Sequence, residues 1–417
     1  MITVTLLFII FSSIAFIGFL LNSLFYKIKI SAVLPLMLLG LLIGPVFGII
    51  GNGGSSLISE LSPYISAFAI AFVLFDVGMN IKASKLKDII LRTTLFTFAF
   101  SLVAGFIASG VFYLVFGWGL IISLMAGFAL SGTSSIIVPS VIRVAKLSDT
   151  LATSLTFEGV LTDIFSLIVP LALFVVLTTG VSPSGIANMF SSFIIGSLSF
   201  GVLSAFFWLV ILKRFREYSK GYSWMLTLTM VIATYGFAEY VGFNGALSTF
   251  IFGIALVNIP DMSPMLRSYT APIAQEIRHV RSYQREITFF VSTFFFVYLG
   301  LLFDIGQITL IAGAIAVALS IFYLLLRYAF TPIRAQTITT GVHSKSETTI
   351  AKFFVAKGLS PAIVATLPAT VGIAVPNLVN IVFIVIFCTN AMISIGMFLY
   401  AMQYVREEKV EKKIEKK

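Results

Sequence analysis

Asp76, Glu158, Asp163, Arg327 and Lys357 each interrupt a long apolar run of the sequence. An ionisable group at the centre of a membrane helix costs about 2.5 to 3.5 kcal/mol on insertion scales, so it faces a partner, a water-filled path or an ion. Glu158 and Thr162 lie at i and i+4 and share one helix face. Glu158 and Asp163 are about 140° apart around a helix, so they are not a carboxylate pair, and Asp163 is the lone mid-membrane acid of its helix. A carboxylate held there is neutralised either by a proton or by a monovalent cation. Competition between the two at one site is the elementary step of proton-coupled cation exchange.

The chain around these residues sets their environment. Of its 417 residues, 59% are hydrophobic and 11% charged, against about 25% charged in a soluble domain. That composition excludes an ordinary water-soluble protein and makes residues 1–403 one all-α polytopic membrane domain, followed by a charged cytoplasmic tail at 404–417 whose alternating Glu and Lys read as a frayed helix. Two His and the single Cys388 exclude a Cys-rich or His-rich metal cluster and an internal disulfide. No cofactor is implied. The net charge of +10 is spread singly or in short runs between apolar stretches, which is the pattern of topology and not of a nucleic-acid surface.

Apolar runs of the required length give about thirteen membrane helices. They cover approximately residues 3–25, 31–49, 63–82, 89–116, 119–142, 150–178, 186–212, 222–239, 243–258, 287–303, 307–333, 350–372 and 377–403. Of the 27 Lys and Arg residues, all but Arg327 and Lys357 fall in or beside alternate connections or in the tail. The other connections, including residues 51–62 and 179–183, hold none, which predicts an outside N-terminus and a cytoplasmic C-terminus. The first run lacks the basic start and small-residue cleavage site of a signal peptide and reads as a helix. Asp261 to Glu286 mixes Arg278, Arg281 and Arg285 with Ile277 and Val280, as an amphipathic helix on the cytoplasmic interface or a solvated linker would.

Depth separates the intramembrane charges. At 1.5 Å per residue from the cytoplasmic end of its span, Glu158 lies about 12 Å deep and Asp163 about 20 Å deep. Arg327 lies about 10 Å deep, so it either pairs with Glu158 or snorkels on its own. Asp76, about 9 Å deep, is either a helix-end carboxylate in a water funnel or part of an ion site. Lys357, five residues beyond Lys352, is expected to snorkel to the interface. Two spans are also interrupted. Leu130-Ser-Gly-Thr-Ser-Ser-Ile-Ile-Val-Pro139 breaks one, and Lys357-Gly-Leu-Ser-Pro361 with Pro368 breaks another in the second half of the chain. Paired broken helices point to an inverted-repeat transporter whose freed backbone forms an ion site at the midplane, the alternative being close packing of small residues.

In order and depth, these segments resemble the monovalent cation/proton antiporter superfamily, in its NhaP-like or NHE-like branch, over nearly the whole chain. Leu74-Phe-Asp-Val-Gly-Met79 is similar to the family's Phe-acid-Gly segment. Ser131-Gly-Thr-Ser-Ser135 is similar to its unwound crossing helix, and Phe157-Glu-Gly-Val-Leu-Thr-Asp163 to its Glu-Ser-x-x-Asn-Asp run. Arg327 sits where the family has a paired Arg. The resemblance implies an NhaA/NhaP-like fold of inverted repeats with two discontinuous crossing helices, a dimerisation part and a six-helix core that works by alternating access. It implies a homodimer in the cell membrane that exchanges Na+, or K+, for H+ in pH homeostasis. Asp163 would be the exchanging carboxylate, Thr162, Thr133, Ser134 and Asp76 would line the site, and Glu158 with Arg327 would be a structural ion pair.

Three positions depart from the family pattern. Thr162 replaces the Asn before the key Asp, Ser134 replaces an Asp of the crossing helix, and Gly159 replaces the Ser after the Glu. In the family an uncharged residue before the key Asp goes with electroneutral exchange, so the resemblance implies one-for-one exchange with the uncharged Thr162. The Ser-rich crossing segment is also similar to the Kef-like potassium branch, in which case K+ would be the cation. A passive channel is disfavoured because neither a Thr-Val-Gly-Tyr-Gly filter nor an acidic ring is present. An organic-anion symporter on a similar inverted-repeat fold is a further alternative. An intramembrane enzyme is disfavoured by the absence of His-Glu-x-x-His and Gly-x-Ser-x-Gly.

Overall fold

A computed structural model describes residues 12–21, 33–48, 57–79, 87–134, 137–145, 147–179, 183–215, 222–262, 264–303, 305–306, 308–337 and 345–414. Both ends of the expected first span, Ser135, and the basic connections around residues 22–30, 80–86 and 216–221 lie outside them. Every regular element among the described residues is helical. In chain order these are α1 (Ser12–Leu21), α2 (Val33–Leu41), α3 (Leu57–Met79), α4 (Lys87–Phe116), α5 (Leu120–Ala129), α6 (Val138–Ala145), α7 (Asp149–Thr179) and α8 (Pro183–Arg214). There follow α9 (Ser223–Val241), α10 (Gly245–Met262), α11 (Pro264–Thr270), α12 (Ala274–Leu301), α13 (Leu310–Thr337), α14 (Lys345–Phe353), α15 (Leu359–Thr370) and α16 (Leu378–Ile414). Long stretches of α4, α7, α8, α13 and α16 are apolar enough, and long enough, to cross a membrane.

Local chemistry explains most boundaries. Gly242, with φ of +88°, ends α9 in the left-handed conformation that glycine adopts without strain. Asn244 then caps α10 by accepting the Leu247 N–H at 2.6 Å. One expected boundary moves. The second half of the amphipathic stretch, from Ala274, and the span after it form one continuous helix, α12, because no Gly or Pro interrupts residues 274–299. Ile277 and Val280 are buried on it while Arg278 and Arg285 are exposed. The tail is helical as expected, α16 continuing through its Glu- and Lys-rich residues to Ile414.

The chain divides into two compact units. The first comprises Met1–Glu60, Asp88–Thr178 and Phe296–Lys417, and the second Leu61–Lys87 and Thr179–Phe295. In the second, Phe72, Phe75 and Met79 of α3 pack with Trp208 and Leu212 of α8, Phe252 and Leu256 of α10, and Val280 of α12. Gln284 ties α12 to this core by donating to the Phe72 carbonyl at 2.9 Å. In the first unit α16 packs along α13, α14, α15 and α2.

Both expected breaks are present, and both belong to the first unit. The helix pair α5 and α6 is separated by an unwound stretch that includes Gly132–Ser134, and α14 and α15 are separated by Phe354–Gly358. The second break lies earlier than Lys357–Pro361, because Pro361 falls in the first turn of α15, where its missing N–H is harmless. With 10 and 12 residues, α5 and α15 reach about 15 and 18 Å, roughly half of a bilayer's hydrocarbon core. The Ser134 N–H donates to the Ala356 carbonyl at 2.8 Å, so the two unwound stretches cross and bond through their backbones.

Candidate functional site

The crossing is fastened to helices on either side. Gly132 lies so close to α7 that a Cβ there would stand 2.8 Å from the Thr162 carbonyl and 2.6 Å from the Ser166 hydroxyl. This contact brings Thr133 onto Thr162. The Thr162 hydroxyl accepts the Thr133 N–H at 3.0 Å and lies 3.0 Å from the Thr133 hydroxyl. The carbonyls of Thr133 (3.0 Å), Glu158 (2.9 Å) and Gly159 (3.1 Å) are all within reach of its single proton. Thr162 therefore serves as the bolt between α7 and the first unwound stretch. On the other side, the Lys357 N–H donates to the Thr389 hydroxyl at 3.2 Å, and Asn390 donates to the Lys357 carbonyl at 2.9 Å. Here α16 holds the second stretch.

Asp163 is buried one residue beyond that bolt. Its Oδ1 accepts a hydrogen bond from the Ser360 hydroxyl at 3.1 Å, which joins α7 to the first turn of α15. Ser134 is buried against Gly358, and its hydroxyl makes no hydrogen bond among the described residues. The structure thus gathers Thr133, Ser134, Thr162 and Asp163 in the first unit and adds Ser360. In sequence, Ser360 was visible only as part of a helix break, because its contact with Asp163 depends on how α15 lies on α7.

Asp76 belongs to the second unit. It is buried near the end of α3, where its charge attracts Arg281 of α12. Burial and the neighbouring Arg285 lower the pKa of Arg281, and Asp76 opposes both.

Behind Asp163, Glu158 and Arg327 form a two-pronged ion pair. Arg327 Nη2 donates to Glu158 Oε2 at 3.0 Å and Nη1 to Oε1, while Nε donates to the Ala351 carbonyl at 2.9 Å in the last turn of α14. The rings of Phe96, Phe100 and Phe354 surround the guanidinium, with centres 5.6 to 5.7 Å away. Both partners are fully buried, so removing either one strands a charge, at a cost of about 3 to 5 kcal/mol.

Lys357 differs from its sequence-based expectation. Its side chain is fully buried instead of snorkelling, with Nζ 4.0 Å from the centre of the Tyr323 ring. The expectation counted helical rise from Lys352. Helix α14 ends at Phe353, however, and unwound backbone advances about 3.3 Å per residue, roughly twice the helical rise.

No group of three or more His, Cys, Asp or Glu forms among the described residues. The oxygens here are the Asp163 carboxylate, the Ser360 hydroxyl bonded to it, and the hydroxyls of Thr133, Ser134 and Thr162 on the adjoining crossing. Such a set suits a hard monovalent cation. A family model described as "Sodium/hydrogen exchanger, transmembrane" matches residues 11–401. The fold is similar to that of the sodium proton antiporter MjNhaP1 from Methanocaldococcus jannaschii in its structure at pH 8, with a TM-score of 0.71 at 18% identity over 94% of this chain and 95% of that one. An electron-microscopy map of the same antiporter gives 0.70 at 18% identity over 96% of each chain. No curated protein matches the chain in sequence.

Proposed function

Because the chain belongs to the transmembrane sodium/hydrogen exchanger family, we propose that it exchanges Na+ for H+ by alternating access, with cation and proton competing for the charge of Asp163. The observation that carries this reading is the buried Asp163 carboxylate of the first unit, bonded to Ser360 beside the crossing of two broken helices that carries Thr133, Ser134 and Thr162. Residue by residue, Asp163 takes the cation, Ser134 and Ser360 offer it hydroxyl oxygens, and Thr162 and Thr133 hold the unwound stretch in place. The Glu158–Arg327 pair keeps α7, α13 and α14 together and takes no part in binding. Asp76 acts from the second unit, as the acid of its own helix end. One carboxylate whose charge is shared in turn gives electroneutral exchange.

The protein works in the cell membrane as a homodimer, its N-terminus outside and its C-terminus cytoplasmic; the one-sided distribution of Lys and Arg supports the orientation. A second reading, K+/H+ exchange, is favoured by the neutral hydroxyls of Ser134 and Thr162, since fewer charged oxygens suit an ion that dehydrates more easily. Asp163→Asn in proteoliposomes should abolish cation-dependent proton movement. Exchange retained in that variant would overturn the assignment, and proton flux driven in turn by Na+, K+ and Li+ separates the two readings.

A further inference from the structure

Lys357 is a buried charge for which competition at Asp163 alone provides no use. Its backbone is held at both ends by Thr389 and Asn390, yet its ammonium makes no hydrogen bond among the described residues and rests against the face of Tyr323. An ammonium brings three donors, and leaving a buried charge without acceptors is costly. Such a group is retained in a packed core when its charge has work to do.

Its surroundings define that work. Helix α7 presents the carboxylates of Glu158 and Asp163, which attract Lys357, and α13 presents Arg327, which repels it, together with Tyr323. The first unwound stretch contributes the neutral Ser134, and α16 the uncharged Thr389 and Asn390. Glu158 is already engaged by both prongs of Arg327. The charge left to balance Lys357 is therefore Asp163. With Asp163 ionised and Lys357 protonated, the buried charges of Glu158, Asp163, Arg327 and Lys357 sum to zero. A cation arriving at Asp163 adds one positive charge to a low-dielectric core, and the ionised Asp163 has no proton to give up in return.

We propose that Lys357 carries the exchanged proton. When the cation binds the Asp163 carboxylate, one N–H bond of the Lys357 ammonium breaks, its electron pair stays on Nζ, and the proton leaves to water on the side to which the site is open. When the cation departs, Nζ takes a proton back and again balances Asp163. Both translocating forms are neutral, and one proton moves for each cation. This inference rests on Asp163 as the cation's carboxylate and changes only where the proton is held.

Two measurements test it. Adding sodium or potassium chloride to the purified wild-type protein should release about one proton per bound cation, read with a pH dye. The infrared difference spectrum should meanwhile show no loss of a protonated carboxylic-acid carbonyl band. Loss of that band in step with the released proton, or no proton release at all, overturns the proposal without any variant. In proteoliposomes, Lys357→Met leaves only a carboxylate to hold the proton, so the pH of half-maximal exchange should fall by about two units or more. Lys357→Arg, whose charge cannot be shed, should lower cation-dependent proton flux by about tenfold or more. Wild-type pH profiles in both variants overturn the proposal, and exchange surviving in Asp163→Asn instead overturns the underlying reading of the site.

Discussion

The two unwound stretches perform one backbone task with opposite side-chain chemistry. Gly132–Ser134 carries only hydroxyls and is bolted to α7 through Thr162, the neighbour of the key carboxylate. Phe354–Gly358 carries the buried Lys357 and is held by Thr389 and Asn390 of α16, a helix that brings no charge to the crossing. The first stretch thus carries hydroxyl oxygens to the crossing, and the second a positive charge. Repeated architecture does not require repeated chemistry, and here each half of the crossing supplies what the other lacks.

The largest test of this division is the ion pair on which both stretches depend. Arg327→Met strands Glu158 and removes the donor to Ala351, and should cost about 3 to 5 kcal/mol, measured as loss of thermal stability in detergent. Adding Glu158→Gln should recover much of that loss. Next come the glycines. Gly132→Ala meets the Thr162 carbonyl, which is backbone and cannot rotate away, and should cost about 2 to 3 kcal/mol even with Ser166 reduced to Gly. Gly358→Ala meets mainly the Ser134 side chain, so Ser134→Gly should rescue it. If both glycine variants respond alike to their partner's removal, the two fastenings are not different in kind.

The bolts themselves rank lower. Thr162→Val leaves the buried Thr133 N–H without an acceptor and should cost about 1 to 2 kcal/mol. Thr389→Val, which strands the Lys357 N–H at the end of a longer bond, should cost about 1 kcal/mol. Chemical denaturation of the two variants side by side checks the order. The smallest effect is expected from Thr162→Ser, which keeps the hydroxyl and should fall below about 1 kcal/mol.

Much of this arrangement is legible in the residue order. Helix breaks announce themselves through Gly, Ser, Thr and Pro inside apolar runs, and depth counted along unbroken helices places Glu158 level with Arg327. The same count fails for Lys357 because it crosses a break, where each residue advances about twice as far. Ser360 escaped notice for a different reason: a serine in a first helical turn is ordinary, and only the packing of α15 on α7 aims its hydroxyl at Asp163. Boundaries set by a stop signal, such as Gly242, are readable locally. That of α12 is not, because helical propensity there runs unbroken from the amphipathic stretch into the apolar run.

The bond from the Ser134 N–H to the Ala356 carbonyl involves no side chain. Any residue except proline can make the donor's half of it. The crossing bond can therefore survive an exchange of Ser134 for another residue small enough to fit against Gly358, so the side chain proposed to face the ion can vary without loss of this fastening. A position of that kind lets ion preference be retuned by one codon without redesigning the fold that holds it.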